Sequence, residues 1–102
     1  MKYEIRLTDE AEEDVKSAFQ WYELKSYGVG HRFLLSLEAC FSAVTRTPLG
    51  FQKIHREIRR TLLKRFPYGV FYVVDRHQLV IIAVMHHKRS QAAWKKRRTK
   101  LV

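Results

Sequence analysis

The feature that most constrains the fold is a pair of apolar runs near the C-terminal end, "VFYVV" at 70–74 and "LVIIAVM" at 79–85. The second run has no polar interruption, which is typical of a central strand covered on both faces. Because only "DRHQ" separates the runs, they predict an antiparallel hairpin with a tight connection. The stretch at 57–65 leads into this hairpin through the turn "PYG" at 67–69, and we interpret it as a third strand.

The N-terminal half changes from a strand pattern to a helical one. "KYEIRL" at 2–7 alternates polar and apolar residues, which predicts a half-buried strand. Thr8 or Asp9 is expected to cap a helix that runs to about Lys25. "SYGVG" then interrupts the pattern, and a second helical stripe ends at Thr47-Pro48. Two helices joined by a short turn predict an antiparallel helical hairpin.

A short helix is expected at the C-terminal end of the chain. Ser90 is placed to cap it, and it would contain Ala93, Trp94 and the basic run at 95–98. The resulting order, β-α-α-β-β-β-α, predicts an α+β fold in which the helical hairpin packs on one face of a small, largely antiparallel sheet. We expect the opposite face of the sheet to be open and to carry the basic residues.

The size of the chain, 102 residues and 12.2 kDa, predicts one domain over 1–102. Cys40 is the single cysteine, so it has no internal disulfide partner, and we expect it to be a buried packing residue. No apolar run approaches the roughly 20 residues of a membrane span. The N-terminus turns acidic where a signal peptide would be hydrophobic, and we expect a cytoplasmic protein.

The charge is divided unevenly between the two halves of the chain. Residues 1–50 contain six Lys and Arg against eight Asp and Glu, a net charge of −2. Residues 51–102 contain fourteen against two, a net charge of +12. This segregation favours a polyanionic partner, either nucleic acid or an acidic protein, over a merely solubilising surface.

These elements together resemble the RelE/ParE superfamily of toxins from type II toxin–antitoxin (plasmid stabilisation) systems. The most specific parts of the resemblance are Phe66-Pro67-Tyr68, Val84-x-His86-x-x-Arg89, Trp94 and Arg97. The resemblance implies a toxin neutralised by an acidic, partly disordered antitoxin segment. RelE-like members cut messenger RNA in the ribosomal A site, whereas ParE-like members poison DNA gyrase and lack a ribonuclease centre. The long helical hairpin, roughly 9–46, is more similar to the ParE-like members.

A RelE-like activity would be a metal-independent RNA cleavage that needs a base, an acid and fixed cations around the phosphate. The candidate catalytic residues for this alternative are Arg60, Lys64, His86 and Arg89. The sequence after Trp94 lacks the Tyr or His that RelE-like nucleases usually carry there. Ser90-Gln91 also replaces the Asp-Pro found in many relatives. Both departures weaken the transfer of a catalytic role.

The two adjacent histidines have structural interpretations beside the catalytic one. Strand alternation predicts that His86 and His87 point to opposite faces, so at most one of them serves the open face. A hydrogen-bonded position at the strand end accounts for His86, and an exposed position accounts for His87. Trp94 most simply anchors the last helix on the sheet. Neither a metal site nor a cofactor is predicted.

The remaining candidates are cations that would bind the antitoxin or the target. They are Arg59, Arg60, Lys64, Arg65, Arg89 and Arg97. The leading hypothesis is a ParE-like growth inhibitor that acts on DNA gyrase and is not itself an enzyme. The alternatives are a ribosome-dependent endoribonuclease and a non-toxic nucleic-acid-binding accessory module, which the +12 half of the chain alone would explain.

Overall fold

The computed structural model describes residues 3–89 and 91–97, which form a five-stranded mixed sheet, a helical hairpin and a short last helix. The elements in chain order are β1 (Glu4–Leu7), α1 (Asp9–Lys25), α2 (Val29–Arg46), β2 (Lys53–His55), β3 (Ile58–Leu62), β4 (Tyr68–Asp75), β5 (Gln78–His86) and α3 (Gln91–Lys95). The strand order is β1-β5-β4-β3-β2, with β1 parallel to β5 and the other neighbours antiparallel. The predicted α+β class and element order are confirmed, with the short β2 as an addition.

The strand predicted over 57–65 is shorter than expected. It ends at Leu62, so Lys64 and Arg65 lie in the loop before β4 instead of on a strand. The additional strand β2 pairs antiparallel with β3 through an irregular register. Its three residues, "KIH", are too few to show a period, so no strand was predicted there.

The start of α1 follows from local sequence. The Thr8 side chain accepts a hydrogen bond of 3.1 Å from the amide of Ala11, which confirms the predicted cap. Three acids in the first turn, Asp9, Glu10 and Glu12, lie where the helix dipole favours negative charge. None of the helices in the described part of the chain is both long and apolar enough to cross a membrane.

The turn between the two long helices is closed by Glu23. Its carboxylate accepts hydrogen bonds of 2.9 Å from the amides of both Gly28 and Gly30, which lower the pKa of this carboxyl. Gly28 has a φ of 87°, in the left-handed region that favours glycine. A Cβ at Gly30 would lie 2.8 Å from the carbonyl oxygen of Phe19. The hairpin is therefore held in one tight geometry.

The helical hairpin packs on one face of the sheet and forms the larger core. From the helices this core takes Ala11, Ala18, Phe33, Leu37, Cys40 and Val44, and from the strands Val70, Tyr72, Leu79, Ile81 and Val84. The buried hydroxyl of Tyr72 donates a hydrogen bond of 2.6 Å to the carbonyl oxygen of Pro48. This bond ties the chain after α2 to the central strand and satisfies the only polar atom of that side chain.

The opposite face of the sheet is not the open basic surface that the sequence predicts. It is a second apolar cluster made of Ile58, Phe71, Val73, Val80, Ile82, Ala83, Met85 and Trp94. The ring of Trp94 stacks on Phe71 with centroids 4.9 Å apart, so the predicted anchoring of the last helix is confirmed. The residues expected to cap and extend this helix, Ser90 and Arg98, lie outside the described residues.

A bulge in β5 decides which face its last residues occupy. Phe71 pairs with Ala83 while Tyr72 pairs with Ile81, so Ile82 is an extra residue in the ladder. As a result Ile82 and Ala83 both join the outer cluster, whereas the next residue, Val84, joins the helix-side core. By the same change of alternation His86 comes to the helix side of the sheet.

Candidate functional site

A groove of about 820 Å³ separates α2 from β3 and the loop that follows it. Four cations line it: Arg32 and Arg46 come from α2, and Lys64 and Arg65 come from the β3–β4 loop. No carboxylate lines this groove within the described residues. Its electrostatic potential therefore favours a negatively charged partner.

The floor of the groove is apolar. Its exposed members are Leu35 and Leu62, with 65% and 58% of their surface accessible, and Phe51 and Phe66 lie deeper. Burial raises the pKa of the Cys40 thiol at the base to about 11, so this side chain behaves as an apolar packing group at neutral pH. A floor of this kind beside basic rims matches the apolar and acidic faces of an amphipathic helix.

The side of the groove that α2 forms was not predicted from the sequence, although the spacing of its residues could have indicated it. Arg32, Ser36, Ala39, Ala43 and Arg46 all line the groove, at spacings of three or four residues. Such spacing places them on one stripe of the helix, next to the stripe that enters the core. Two arginines that flank small residues leave room for a partner between them.

The loop that carries Lys64 and Arg65 is fixed in position by the fold. The hydroxyl of Ser36 donates a hydrogen bond of 2.8 Å to the carbonyl oxygen of Lys64. Arg65 has a φ of 69°, a left-handed conformation that costs a residue with a Cβ about 1–2 kcal/mol. Both side chains are exposed at the groove, in agreement with a binding role, which stays a prediction.

The neighbouring arginines Arg59 and Arg60 have different environments. The guanidinium of Arg59 donates hydrogen bonds to the carbonyl oxygens of Leu49 and Phe51, at 3.2 and 2.6 Å. It therefore holds the segment that joins α2 to β2. Arg60 is exposed, and its stem lies over Gly69, where an added Cβ would meet its Cδ at 3.4 Å. Of the two, only Arg60 presents its charge to solvent.

A second cleft, of about 440 Å³, lies at the end of β5 against α1. Its polar and aromatic lining consists of Asp14, Ser17, Trp21, Tyr68, His86 and Arg89. Burial raises the pKa of the Tyr68 hydroxyl, and the nearby charge of Arg89 opposes that effect. The bulge in β5 is what brings His86 to this side of the sheet.

The prediction that His86 and His87 point to opposite faces is wrong. Their rings stack with centroids 4.8 Å apart and an interplanar angle of 21°. The physical reason is that β5 ends at His86, so His87 lies in a turn and strand alternation no longer applies to it. A ring nitrogen of His87 lies 3.1 Å from the carbonyl oxygen of Pro67, which fixes its position.

The environment of His86 is poorly suited to general base catalysis. Its Nδ1 accepts a hydrogen bond of 3.1 Å from the amide of Lys88. In the neutral ring the proton then resides on Nε2, and the basic lone pair is already engaged. Burial, followed by the charges of His87 and Lys88, lowers the pKa of His86, which favours the neutral ring. These contacts match the structural interpretation of this residue.

Arg97 belongs to an ion pair that was not predicted. Its guanidinium donates two hydrogen bonds of 3.0 Å to the carboxylate of Asp14 and one of 2.9 Å to the carbonyl oxygen of Ile82. The same carboxylate accepts from the amide of Val84, at 3.0 Å, beside the bulge. Both paired side chains are only 13% exposed. Arg97 therefore clamps the C-terminal segment onto α1 and β5.

The candidate catalytic residues are not brought together in one cleft. Lys64 lines the groove and His86 and Arg89 line the cleft, while Arg60 lines neither. In the described part of the chain, no group of three His, Cys, Asp or Glu side chains is arranged to hold a metal ion. The geometry thus offers two binding surfaces: a large basic groove with an apolar floor, and a smaller aromatic cleft.

Comparison with known structures shows the same fold in toxin–antitoxin complexes. A chain of the chromosomal ParDE system from P. aeruginosa superposes with a TM-score of 0.73 at 12% identity, covering 82% of this chain and 95% of that one. A chain of the RelBE2 complex from Mycobacterium tuberculosis gives 0.60 at 21% identity, covering 84% and 99%. Identities this low establish the fold alone.

The sequence itself identifies the family. No curated protein matches the chain. The family model described as the ParE toxin of the type II toxin–antitoxin system parDE matches residues 5–91, which include both helices of the hairpin, β2 to β5 and all of β1 except its first residue. The chain therefore belongs to the ParE toxin family of type II toxin–antitoxin systems.

Proposed function

We propose that this protein is a ParE-like growth inhibitor that acts on DNA gyrase by binding to it and not by catalysis. The observation that carries the proposal is the family match over residues 5–91. Two features of the geometry support it. The candidate nuclease residues are distributed over separate surfaces, and the basic lone pair of His86 is engaged by the amide of Lys88.

The gyrase target is tested by incubating the purified protein with gyrase, negatively supercoiled plasmid and ATP. We expect linear plasmid to accumulate after detergent and protease treatment, because a gyrase poison traps the cleaved DNA. The same protein should leave plasmid intact without gyrase, and it should not affect a type I topoisomerase. Unchanged supercoiling and no cleaved DNA at micromolar protein would rule the target out.

The groove between α2 and the β3–β4 loop is the surface that we assign to the antitoxin. Four cations around an apolar floor complement a helix with one acidic and one apolar face. The exposed Leu35 and Leu62 supply apolar area that a partner would cover. The acidic protein would be encoded by a small reading frame next to the gene of this chain.

Reversal of the charge at the groove tests this assignment. The double variant Lys64→Glu, Arg65→Glu should bind the product of that acidic reading frame roughly 10-fold or more weakly, because attraction at the rim becomes repulsion. The matched control is the double variant Lys16→Glu, Arg76→Glu, which reverses two exposed cations outside both clefts. If titration calorimetry gives equal affinities for both variants, the antitoxin binds elsewhere.

A ribosome-dependent ribonuclease is the second candidate, and one observation favours it. His86, whose lowered pKa favours the neutral ring, and Arg89 line the same cleft, so a proton-transfer group and a cation are close together. For this activity, the double variant His86→Ala, Arg89→Ala should remove toxicity while antitoxin affinity falls only modestly. A double variant that remains fully toxic would exclude catalysis by this pair.

A further inference from the structure

We propose that the tip of the helical hairpin, formed by Trp21, Leu24, Lys25 and Tyr27, is the surface through which the protein binds gyrase, and that it docks against an apolar pocket bordered by carboxylates. The inference rests on the proposed gyrase target and assigns to it a surface separate from the antitoxin groove. Three features of the tip motivate it: exposed apolar side chains, a fixed turn and a positive charge.

The tip carries the most exposed large apolar side chains of the described residues. Leu24 and Tyr27 are 88% and 94% exposed, and Trp21, half-exposed, lies within the same seven residues. Side chains this exposed add little to the core of the fold. Tyr and Trp are, however, among the residue types that most often dominate the binding energy of protein interfaces. Their concentration at one end of the hairpin therefore indicates a contact surface for a partner.

The backbone that carries Tyr27 is fixed before any partner binds. The amide of Val29 donates a hydrogen bond of 3.1 Å to the carbonyl oxygen of Ser26, which closes the turn between the helices. Gly28, with a φ of 87° and a ψ of −14°, has the conformation of the third residue of a type II turn, so Tyr27 is the second residue of that turn. The carboxylate of Glu23 holds the same turn through the amide of Gly28. A fixed turn lowers the entropy cost of docking.

The charge of the tip indicates the chemistry of the partner. Lys25 is exposed, and its Nζ lies 5.0 Å from the centroid of the Trp21 ring, which leaves Leu24 and Tyr27 as the uncovered apolar groups. Glu23 is the only carboxylate between residues 21 and 32, and it is bound to two backbone amides. Carboxylates around an apolar pocket would therefore complement the tip, whereas a second copy of the chain would bring like charges together.

The aliphatic Leu24 favours a protein over a nucleic acid as the partner. Single-stranded nucleic acids are bound by cations together with aromatic rings that stack on the bases. Leu24 has neither a ring nor a charge, although it is one of the two most exposed groups of the tip. An apolar pocket on a protein surface would cover both Leu24 and Tyr27, which strands of bases and phosphates do not provide.

The tip lies beside the groove without being part of it. Neither Leu24 nor Tyr27 lines the groove or the cleft. The groove residue closest in sequence to the turn is Arg32, in the first turn of α2. An antitoxin in the groove would therefore lie next to the tip and obstruct a partner as large as gyrase without contacting the same residues.

The test measures binding of purified gyrase holoenzyme to the fluorescently labelled full chain, together with the accumulation of cleaved plasmid. The double variant Leu24→Ala, Tyr27→Ala should weaken gyrase binding about 30-fold or more, as expected when a central anchor is lost. Cleaved plasmid should then appear only at correspondingly higher protein concentration. The single variant Tyr27→Phe keeps the ring and should stay within about 5-fold of wild type.

The controls separate the tip from other exposed residues and from the groove. Leu49→Ala removes an exposed leucine outside both cavities and should change gyrase affinity by less than about 2-fold. The groove variant Lys64→Glu, Arg65→Glu should stay within about 3-fold at about 0.15 M salt, where distant charges are largely screened. Thermal unfolding of the tip variant should match wild type, because both side chains are exposed.

The outcomes distinguish the inference from the proposed function. If wild type traps cleaved DNA and the tip variant binds gyrase equally well, the tip is not the target surface and the proposed function stands. If wild type neither binds gyrase nor traps cleaved DNA, the target itself is wrong and the inference fails with it. A tip variant that loses affinity for a DNA duplex alone, or that dissociates a wild-type dimer seen by light scattering, would identify nucleic acid or a second copy as the partner and overturn the proposal.

Discussion

The C-terminal segment and the β3–β4 loop both contain consecutive basic residues, but the fold uses their charges in opposite ways. In the C-terminal segment Arg97 is 13% exposed and bonded to Asp14. In the loop Lys64 and Arg65 are exposed along the groove. In a chain with this much positive charge, a basic residue is a candidate for binding a partner only if its side chain is not already bonded to an acceptor within the protein.

The largest loss of stability is expected when the C-terminal segment is altered. Arg97→Ala should lower the free energy of unfolding by about 3 kcal/mol, because it leaves the carboxylate of Asp14 half-satisfied in a largely buried position. Urea unfolding measures the change. Lys96→Ala removes an exposed cation one residue away and should change stability by less than about 0.5 kcal/mol. Equal stabilities for the two variants would contradict the clamp.

An intermediate loss of stability is expected within β3, where an arginine bonded inside the protein lies next to an arginine exposed to solvent. Arg59→Ala should cost about 2 kcal/mol, because charged hydrogen bonds to the carbonyl oxygens of Leu49 and Phe51 are lost. Arg60→Ala should cost less than about 0.5 kcal/mol, since its charge is exposed. Thermal unfolding of the pair at equal ionic strength checks the difference, and a larger loss for Arg60 would reverse the assignment.

The smallest effect is a gain in stability, and it is expected in the β3–β4 loop. Arg65→Gly should raise the free energy of unfolding by about 0.5 kcal/mol, because glycine relieves the left-handed backbone at a φ of 69°. Lys64→Gly removes an equivalent charge without that relief and should lower stability instead. If both variants are destabilised alike, the loop conformation does not store the strain described above.

The central hairpin was predictable because its two runs are apolar and rich in β-branched residues, with a short polar turn between them. The bulge at Ile82 was not, because every residue of that run is apolar and neither face carries a polar marker. The faces of Val84, Met85 and His86 follow from the bulge, so their assignment required the structure. Alternation failed for His86 and His87 for a separate reason: β5 ends at His86, and His87 lies in the turn that follows.

The candidate site was predictable in its residue types but only partly in its arrangement. Lys64 and Arg65 were expected to present their charges to a partner, and the structure exposes them at the groove. The pairing of Arg97 with Asp14 joins residues 83 positions apart, and no local pattern encodes such a contact. The position of Trp21 in the cleft could not be predicted from the sequence either. Its helix has a broad apolar face, and the cleft forms only where β5 ends against α1.

The most direct test of the central claim is a pulse-label of DNA synthesis and protein synthesis after tightly controlled induction of the protein in a bacterium. A ParE-like gyrase inhibitor predicts that DNA synthesis fails first, with protein synthesis following later. Wild-type protein and the His86→Ala, Arg89→Ala variant should then behave alike. Failure of protein synthesis first, abolished in that variant, would contradict the account and assign the protein to the ribosome.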